Sequence, residues 1–84
     1  MAISYKDFQK VRKALGLTQR QMGAVLGMSG VNLHFIETGQ SPLRNEHIDR
    51  LKEELGIDVT KAKELVRQYD HVQKVVSNKV RRQI

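Results

Sequence analysis

The chain has 84 residues, of which 15 are Lys or Arg, 9 are Asp or Glu and none is Cys. A domain of this size buries only about 60% of the surface that its unfolded chain exposes, and without cysteines or a cluster of metal ligands it has no disulfide or metal to stabilise it. The net charge of +6 makes a polyanion the first partner to test. No run approaches the roughly 20 apolar residues of a membrane span, so we expect a cytoplasmic protein with no membrane partner.

Two helices are predicted in the first third of the chain. The first begins at Ser4, an N-cap residue, and ends at Gly16, which can adopt the left-handed conformation. The second begins at Thr18, which forms a T-x-x-Q capping box with Gln21, and ends at Gly27. Apolar residues at spacings of three and four predict the buried faces, which are Phe8, Val11 and Leu15 in the first helix and Met22 and Leu26 in the second.

Three more helices follow in the rest of the chain. Ser29 caps a third helix that runs to Thr38 and is closed by Gly39. A fourth covers about residues 44–55, and Asp58 caps a long fifth helix through about residue 81. No segment alternates with period two over enough residues to predict a strand, so the predicted fold class is all-α with five helices. The residues predicted to be buried here are Leu33, Ile36, Ile48, Leu51 and Leu55.

The second and third predicted helices, joined by a short glycine turn, have the proportions of a helix-turn-helix unit. Gly27 permits a positive φ angle in the turn, and Gly23 is small enough to let the two helices approach closely. An interior glycine costs a helix about 1 kcal/mol relative to alanine. Gly23 therefore indicates a close contact between the helices.

Residues 17–39, LTQRQMGAVLGMSGVNLHFIETG, resemble the helix-turn-helix of phage Cro proteins and repressors. The residues that match the family pattern are Leu17, Thr18, Gln19, Leu26, Gly27, Ser29, Ile36, Glu37 and Gly39, with Met22, Met28 and Leu33 as near substitutes. Gly23 and His34 depart from it, because the family usually has alanine and a small polar residue there. The resemblance covers residues 5–56 and implies a lambda-repressor-like DNA-binding domain at residues 1–56, with residues 57–84 as a C-terminal helix outside it.

The third predicted helix has apolar residues on two opposite faces. If Leu33 and Ile36 point into the core, then Val31 and Phe35 point away from it at about 100° per residue. The resemblance implies that this helix lies in the major groove of DNA and that its outer residues contact bases; these are Gly30, Val31, Asn32, His34 and Phe35. Val31 and Phe35 can contact thymine methyl groups, and Asn32 can bond to adenine. The alternatives are a Phe35 that packs on the domain or on a second subunit, and a solvated Asn32.

The resemblance also implies phosphate contacts and one structural ion pair. The expected phosphate contacts are Gln19, Arg20, Ser29, Thr38 and Arg44. Simple solvation remains the alternative for Arg20 and Arg44. Glu37 corresponds to the structural glutamate of the family, and Arg12 to the basic residue of the first helix that pairs with it.

The fifth predicted helix carries an apolar seam along its length. The seam residues are Val59, Ala62, Leu65, Val66, Tyr69, Val72, Val76 and Val80, with Gln73 as a polar interruption. Helix-turn-helix proteins commonly bind palindromic half-sites about 34 Å apart, so we expect this seam to pair with its copy in a homodimer. The alternative is that the first half packs on the first and fourth helices while the second half is an exposed tail.

These features predict a sequence-specific transcription regulator that binds double-stranded DNA as a dimer, and that represses a palindromic operator as phage and mobile-element regulators do. An acidic patch on the fourth helix allows a contact with RNA polymerase; it consists of Glu46, Asp49, Glu53 and Glu54. A second hypothesis is an antitoxin or anti-effector whose C-terminal helix binds a different protein. We expect no enzymatic activity, cofactor or metal, because the sequence has no nucleophile beside a base, no paired carboxylates in an apolar context and no glycine-rich phosphate loop.

Overall fold

A computed structural model describes the backbone of residues 3–82 and the side chains of residues 3–79. Its helices are α1 (Tyr5–Ala14), α2 (Gln19–Leu26), α3 (Gly30–Glu37), α4 (Asn45–Leu55) and α5 (Val59–Arg82). Residues 3–82 contain no strand, so the predicted all-α class with five helices is confirmed. None of the helices within this range is long and apolar enough to cross a membrane.

The predicted capping residues begin the helices in the structure. Thr18 Oγ1 accepts a hydrogen bond from the backbone N–H of Gln21 at 3.1 Å, and Gln21 Oε1 accepts one from the Thr18 N–H at 2.9 Å. One-way bonds of the same kind begin three other helices, at Ser4, Ser29 and Asp58. Gly27 ends α2 with φ of 75°, which a residue with a side chain rarely adopts. These caps leave the turn between α2 and α3 only three residues long, from Gly27 to Ser29.

The core lies where α1 meets α5 and where α2 meets α3. Its most deeply buried side chains are Phe8, Val11, Met22, Leu33, Leu51 and Ala62, each at most 1% exposed. Burial of a large apolar side chain stabilises a fold by about 1.5–3 kcal/mol, so these few residues supply much of the driving force. Leu55, which we predicted to be buried, is 40% exposed. The reason is that α4 ends there and the chain turns at Gly56, which brings Ile57 into the core instead.

The two halves of α5 have different surroundings. Ala62 is 1% exposed, and three neighbours pack against the same core, namely Val59, Leu65 and Val66. Ala62, which we predicted to belong to a dimer interface, is instead buried in the core of its own chain. By contrast, residues 71–79 are all exposed. The side chain of Val80 lies outside the described residues.

The close approach of α2 to the following turn explains Gly23. A Cβ atom at this position would lie 2.7 Å from the carbonyl oxygen of Met28 and 3.0 Å from that of Ser29. Both neighbours are backbone atoms, so they can move only if the turn itself moves. The glycine is thus required by the geometry of this turn, although the family pattern has alanine there.

We predict that Gly23→Ala lowers the free energy of unfolding by about 1–2 kcal/mol, since overpacking outweighs the gain in helix propensity. Urea denaturation measures this change. Ala24→Gly at the neighbouring exposed position is the matched control, and it removes only about 1 kcal/mol of helix propensity. A Gly23→Ala variant more stable than the wild type would contradict the close contact.

Candidate nucleic-acid interface

The outer face of α3 is apolar and open to solvent. Val31 is 64% exposed and Phe35 is 38% exposed, while Leu33 and Ile36 on the other face are buried. The Phe35 ring lies 6.1 Å from the ring of His34, measured between centroids, with the planes tilted by 58°. Both predicted apolar residues therefore lie at the surface, where a partner can reach them.

A concavity of about 770 Å³ lies between α2 and the beginning of α3. Most of the predicted contact residues line it, together with two that we did not predict; the full lining is Gln19, Arg20, Ala24, Met28, Ser29, Gly30, Val31, His34 and Phe35. A Cβ atom on Gly30 would lie 3.1 Å from Arg20 Cα, so glycine lets α3 begin close to α2. Asn32 and Arg44 do not line this concavity and instead border a smaller depression on the α4 side of α3.

Beneath the concavity, Arg12 and Glu37 form the ion pair that the resemblance implies. Arg12 Nε donates to Glu37 Oε2 at 2.6 Å, and a terminal guanidinium nitrogen donates to Oε1 at 3.1 Å. The Glu37 side chain has no exposed surface. The other terminal nitrogen of Arg12 donates to the carbonyl oxygen of Leu17 at 2.9 Å. The pair thus connects α1, the segment that leads into α2, and the end of α3.

The Gln19 side chain belongs to the same network. Its Nε2 donates to Glu37 Oε1 at 3.0 Å and lies 3.3 Å from Nδ1 of His34. We expected this side chain to donate to a phosphate, but it donates within the protein. Sequence patterns did not indicate this network, because Gln19 lies 15 positions from His34 and 18 from Glu37 and meets them only in the folded chain.

The other predicted phosphate contacts lie at the ends of α3 and α4 or at the start of α2. Ser29 Oγ accepts the capping bond, so its own O–H remains available to donate. Thr38 Oγ1 donates to the carbonyl oxygen of His34 at 3.0 Å and is therefore already engaged. Arg20 and Arg44 are exposed and contribute the positive charge.

His47 holds the backbone next to Arg44. The Arg44 N–H donates to His47 Nδ1 at 3.0 Å, and the His47 N–H donates to the Arg44 carbonyl oxygen at 3.0 Å. Burial lowers the pKa of His47; Arg44 acts in the same direction, and Glu46 opposes it. A neutral ring keeps Nδ1 free to accept the bond, so the start of α4 retains its cap.

A second apolar patch lies on the far half of α5. It consists of Val72, Val75 and Val76, which are 52%, 39% and 50% exposed. Tyr69 and Val72 also border a groove of about 340 Å³ between α1 and α5. Of the predicted interface, Tyr69, Val72 and Val76 thus remain accessible. Val75 was not among the predicted interface residues, although it lies three positions after Val72.

A salt bridge between α1 and α5 lies beside this groove. Lys10 Nζ is 2.8 Å from Asp70 Oδ1, and the hydrogen bond to Asp70 raises the pKa of Lys10. The contact is solvent-exposed, so it adds little to stability. It does hold the middle of α5 against α1.

Comparison with known families gives a match to the model of a helix-turn-helix domain over residues 8–65, which is more than half of the chain. The match runs past Gly56 into α5, in agreement with the packing of the first half of α5 on α1. No curated protein and no solved structure matches the chain.

We predict that Glu37→Gln lowers the free energy of unfolding by about 3–5 kcal/mol, because it leaves the Arg12 guanidinium buried without a counter-charge. Thermal or urea denaturation measures the loss. Glu54→Gln is the control, since Glu54 is exposed and its oxygen lies 4.0 Å from Arg50 Nε; its effect should stay below about 1 kcal/mol. Equal effects of the two substitutions would show that the buried pair does not support the fold.

Proposed function

The chain belongs to a helix-turn-helix domain family, and from this we propose that it is a sequence-specific DNA-binding transcription regulator that represses a palindromic operator as a dimer. The observation that supports this most is the exposure of Val31 and Phe35 on the outer face of α3. Exposure of apolar side chains to water is unfavourable in free energy. Against thymine methyl groups they bury apolar area and distinguish thymine from other bases.

The charges around α3 support its placement in the major groove. Arg20 lies in α2 on one side of α3, and Arg44 precedes α4 on the other side. Two exposed cations that flank a helix can bind phosphates on the two sides of a groove. Asn32 lies on the Arg44 side, where it can bond to an adenine. Because these contacts come from α2, α3 and the residue before α4, they fix the orientation of α3 on the duplex.

The exposed patch of Val72, Val75 and Val76 supports a dimer through α5. The helix has 24 residues and is therefore about 36 Å long, and residues 71–79, the part of its outer half whose side chains the structure describes, are all exposed. Pairing with a second copy buries these valines and places two α3 helices on one duplex, as palindromic half-sites require. Occupation of such a site in a promoter excludes polymerase and represses transcription.

The same patch also favours a second candidate, in which α5 binds a different protein, as an antitoxin or anti-effector does. The two candidates differ in the behaviour of the isolated chain. A dimer in solution buries the valines without any other protein, whereas the second candidate leaves the purified chain monomeric. The acidic residues of α4 are exposed, and we still predict that they can contact RNA polymerase.

We predict that Val31→Ala or Phe35→Ala weakens binding to the preferred site by about 1–3 kcal/mol and relaxes the preference for thymine at one position. Selection of bound sequences from a random DNA pool, followed by titration, measures both effects. Arg44→Ala is the control, because loss of a phosphate contact should weaken binding to all sequences alike and reduce its salt dependence. An unchanged thymine preference in both alanine variants would reject the methyl contacts.

We predict that Val72→Glu combined with Val76→Glu converts a dimer into a monomer, because dimerisation would bury two carboxylates without partners. Sedimentation equilibrium measures the change, and circular dichroism verifies that the fold persists. The control is Ser77→Glu, which adds a charge to an exposed position at least about 100° around the helix from each of the three valines. A wild-type chain that is monomeric at all concentrations would contradict the dimer.

A further inference from the structure

The polar end of the concavity holds Gln19 beside His34. We propose that Gln19 is a specificity-determining residue that contacts a base through its amide oxygen, and that the base carries an amino group, as adenine and cytosine do. This inference rests on the proposed function, since it requires α3 to lie in the major groove. It replaces the phosphate contact that the family resemblance implies for this residue.

The hydrogen bonds around Gln19 determine which end of its amide faces the protein. The atom 3.0 Å from Glu37 Oε1 must be Nε2, because a carboxylate oxygen only accepts and the amide oxygen cannot donate. The same nitrogen lies 3.3 Å from His34 Nδ1. An amide nitrogen has two N–H groups and accepts nothing, so both are engaged, one by each neighbour.

This orientation cannot easily reverse. Glu37 has no exposed side-chain surface, and Arg12 holds its two oxygens at 2.6 and 3.1 Å. A flipped Gln19 amide would place its oxygen against a buried carboxylate oxygen and leave an N–H without its acceptor. The buried Arg12–Glu37 pair therefore determines that the nitrogen of the Gln19 amide, and not its oxygen, faces Glu37.

The atom that remains is Gln19 Oε1, an acceptor. Among the described side chains, no donor bonds to it, and Gly30 has no side chain with which to cover it in the concavity. Phosphate oxygens are acceptors too, so Oε1 gains nothing from a phosphate. The donors that bases present in the major groove are the amino groups N6 of adenine and N4 of cytosine.

The same hydrogen bonds indicate which nitrogen of the His34 ring accepts and which donates. Because Nδ1 accepts from Gln19, a neutral ring carries its proton on Nε2. His34 Nε2 is then a donor, suited to a phosphate oxygen or to a base acceptor. Gln19 and His34 together thus offer one acceptor and one donor next to the apolar face of Val31 and Phe35.

The first test uses the full chain without DNA. Nitrogen chemical shifts of the His34 ring at about pH 8, where an ordinary imidazole is neutral, should show the tautomer with the proton on Nε2. In Gln19→Met, which has a side chain of similar length without donors, the Nδ1 shift should move. A His34 ring protonated mainly on Nδ1 would overturn the assigned polarity.

The second test uses DNA selected by the wild-type chain, in which single adenines or cytosines are replaced by analogues that lack the amino group. We expect one position at which this replacement weakens wild-type binding about tenfold and has no effect on Gln19→Met or Gln19→Ala. Arg20→Ala, a change in the neighbouring exposed residue, should retain the full dependence on the amino group. Circular dichroism verifies that each variant is folded.

Two outcomes overturn the inference in different ways. If the Gln19 variants bind every sequence more weakly and keep the dependence on the amino group, then Gln19 does not contact a base, while the proposed function stands. If the wild-type chain selects no sequence, then the proposed function fails and the base contact fails with it. The nitrogen chemical shifts of the His34 ring show independently whether the Gln19 amide has the orientation that we assign to it.

Discussion

A buried ion pair determines where α3 lies in this small protein. Glu37 at the end of α3 has no exposed side-chain surface, and both of its oxygens accept from Arg12 in α1. The same guanidinium donates to the Leu17 carbonyl oxygen just before α2. A buried pair adds little net stability over apolar residues of similar volume, but the loss of one partner is costly. Its main effect is therefore geometric, since three segments must meet at one guanidinium.

The surface of the site follows from this buried arrangement. With Leu33 and Ile36 in the core, α3 has no further inward face, so Val31 and Phe35 must lie outside. The buried Glu37 carboxylate also influences the surface, because it accepts a hydrogen bond from Gln19 Nε2 and so orients the Gln19 amide. The result is an apolar face with a polar end, flanked by exposed arginines, on one side of the molecule.

Local features of the sequence predicted the helices well, because their signals lie within a few residues of each other. The capping box of Thr18 and the left-handed Gly27 are examples. Features that depend on distant parts of the chain were harder to predict. Periodicity identified the apolar face of α5 but not that Ala62 is buried in the core of its own chain. It also placed Leu55 in the core, although the chain turns at Gly56 and Ile57 is buried instead. The family resemblance suggested a phosphate contact for Gln19 that its hydrogen bonds do not support.

Because α5 is one continuous helix, the placement of its first half on the core determines the direction of its second half. Leu65 packs against the core while Val72 and Val76 are exposed, and the same unbroken helix carries all three. In a dimer built on the exposed valines, the helical phase sets the angle between the two DNA-binding units. One residue inserted between Leu65 and Val72 would turn the valines by about 100° and shift them by about 1.5 Å, whereas seven residues would nearly restore the angle and add about 10 Å. In such a dimer, insertion of whole heptads would therefore change the distance between the two DNA-binding units without a change in the residues that face the DNA.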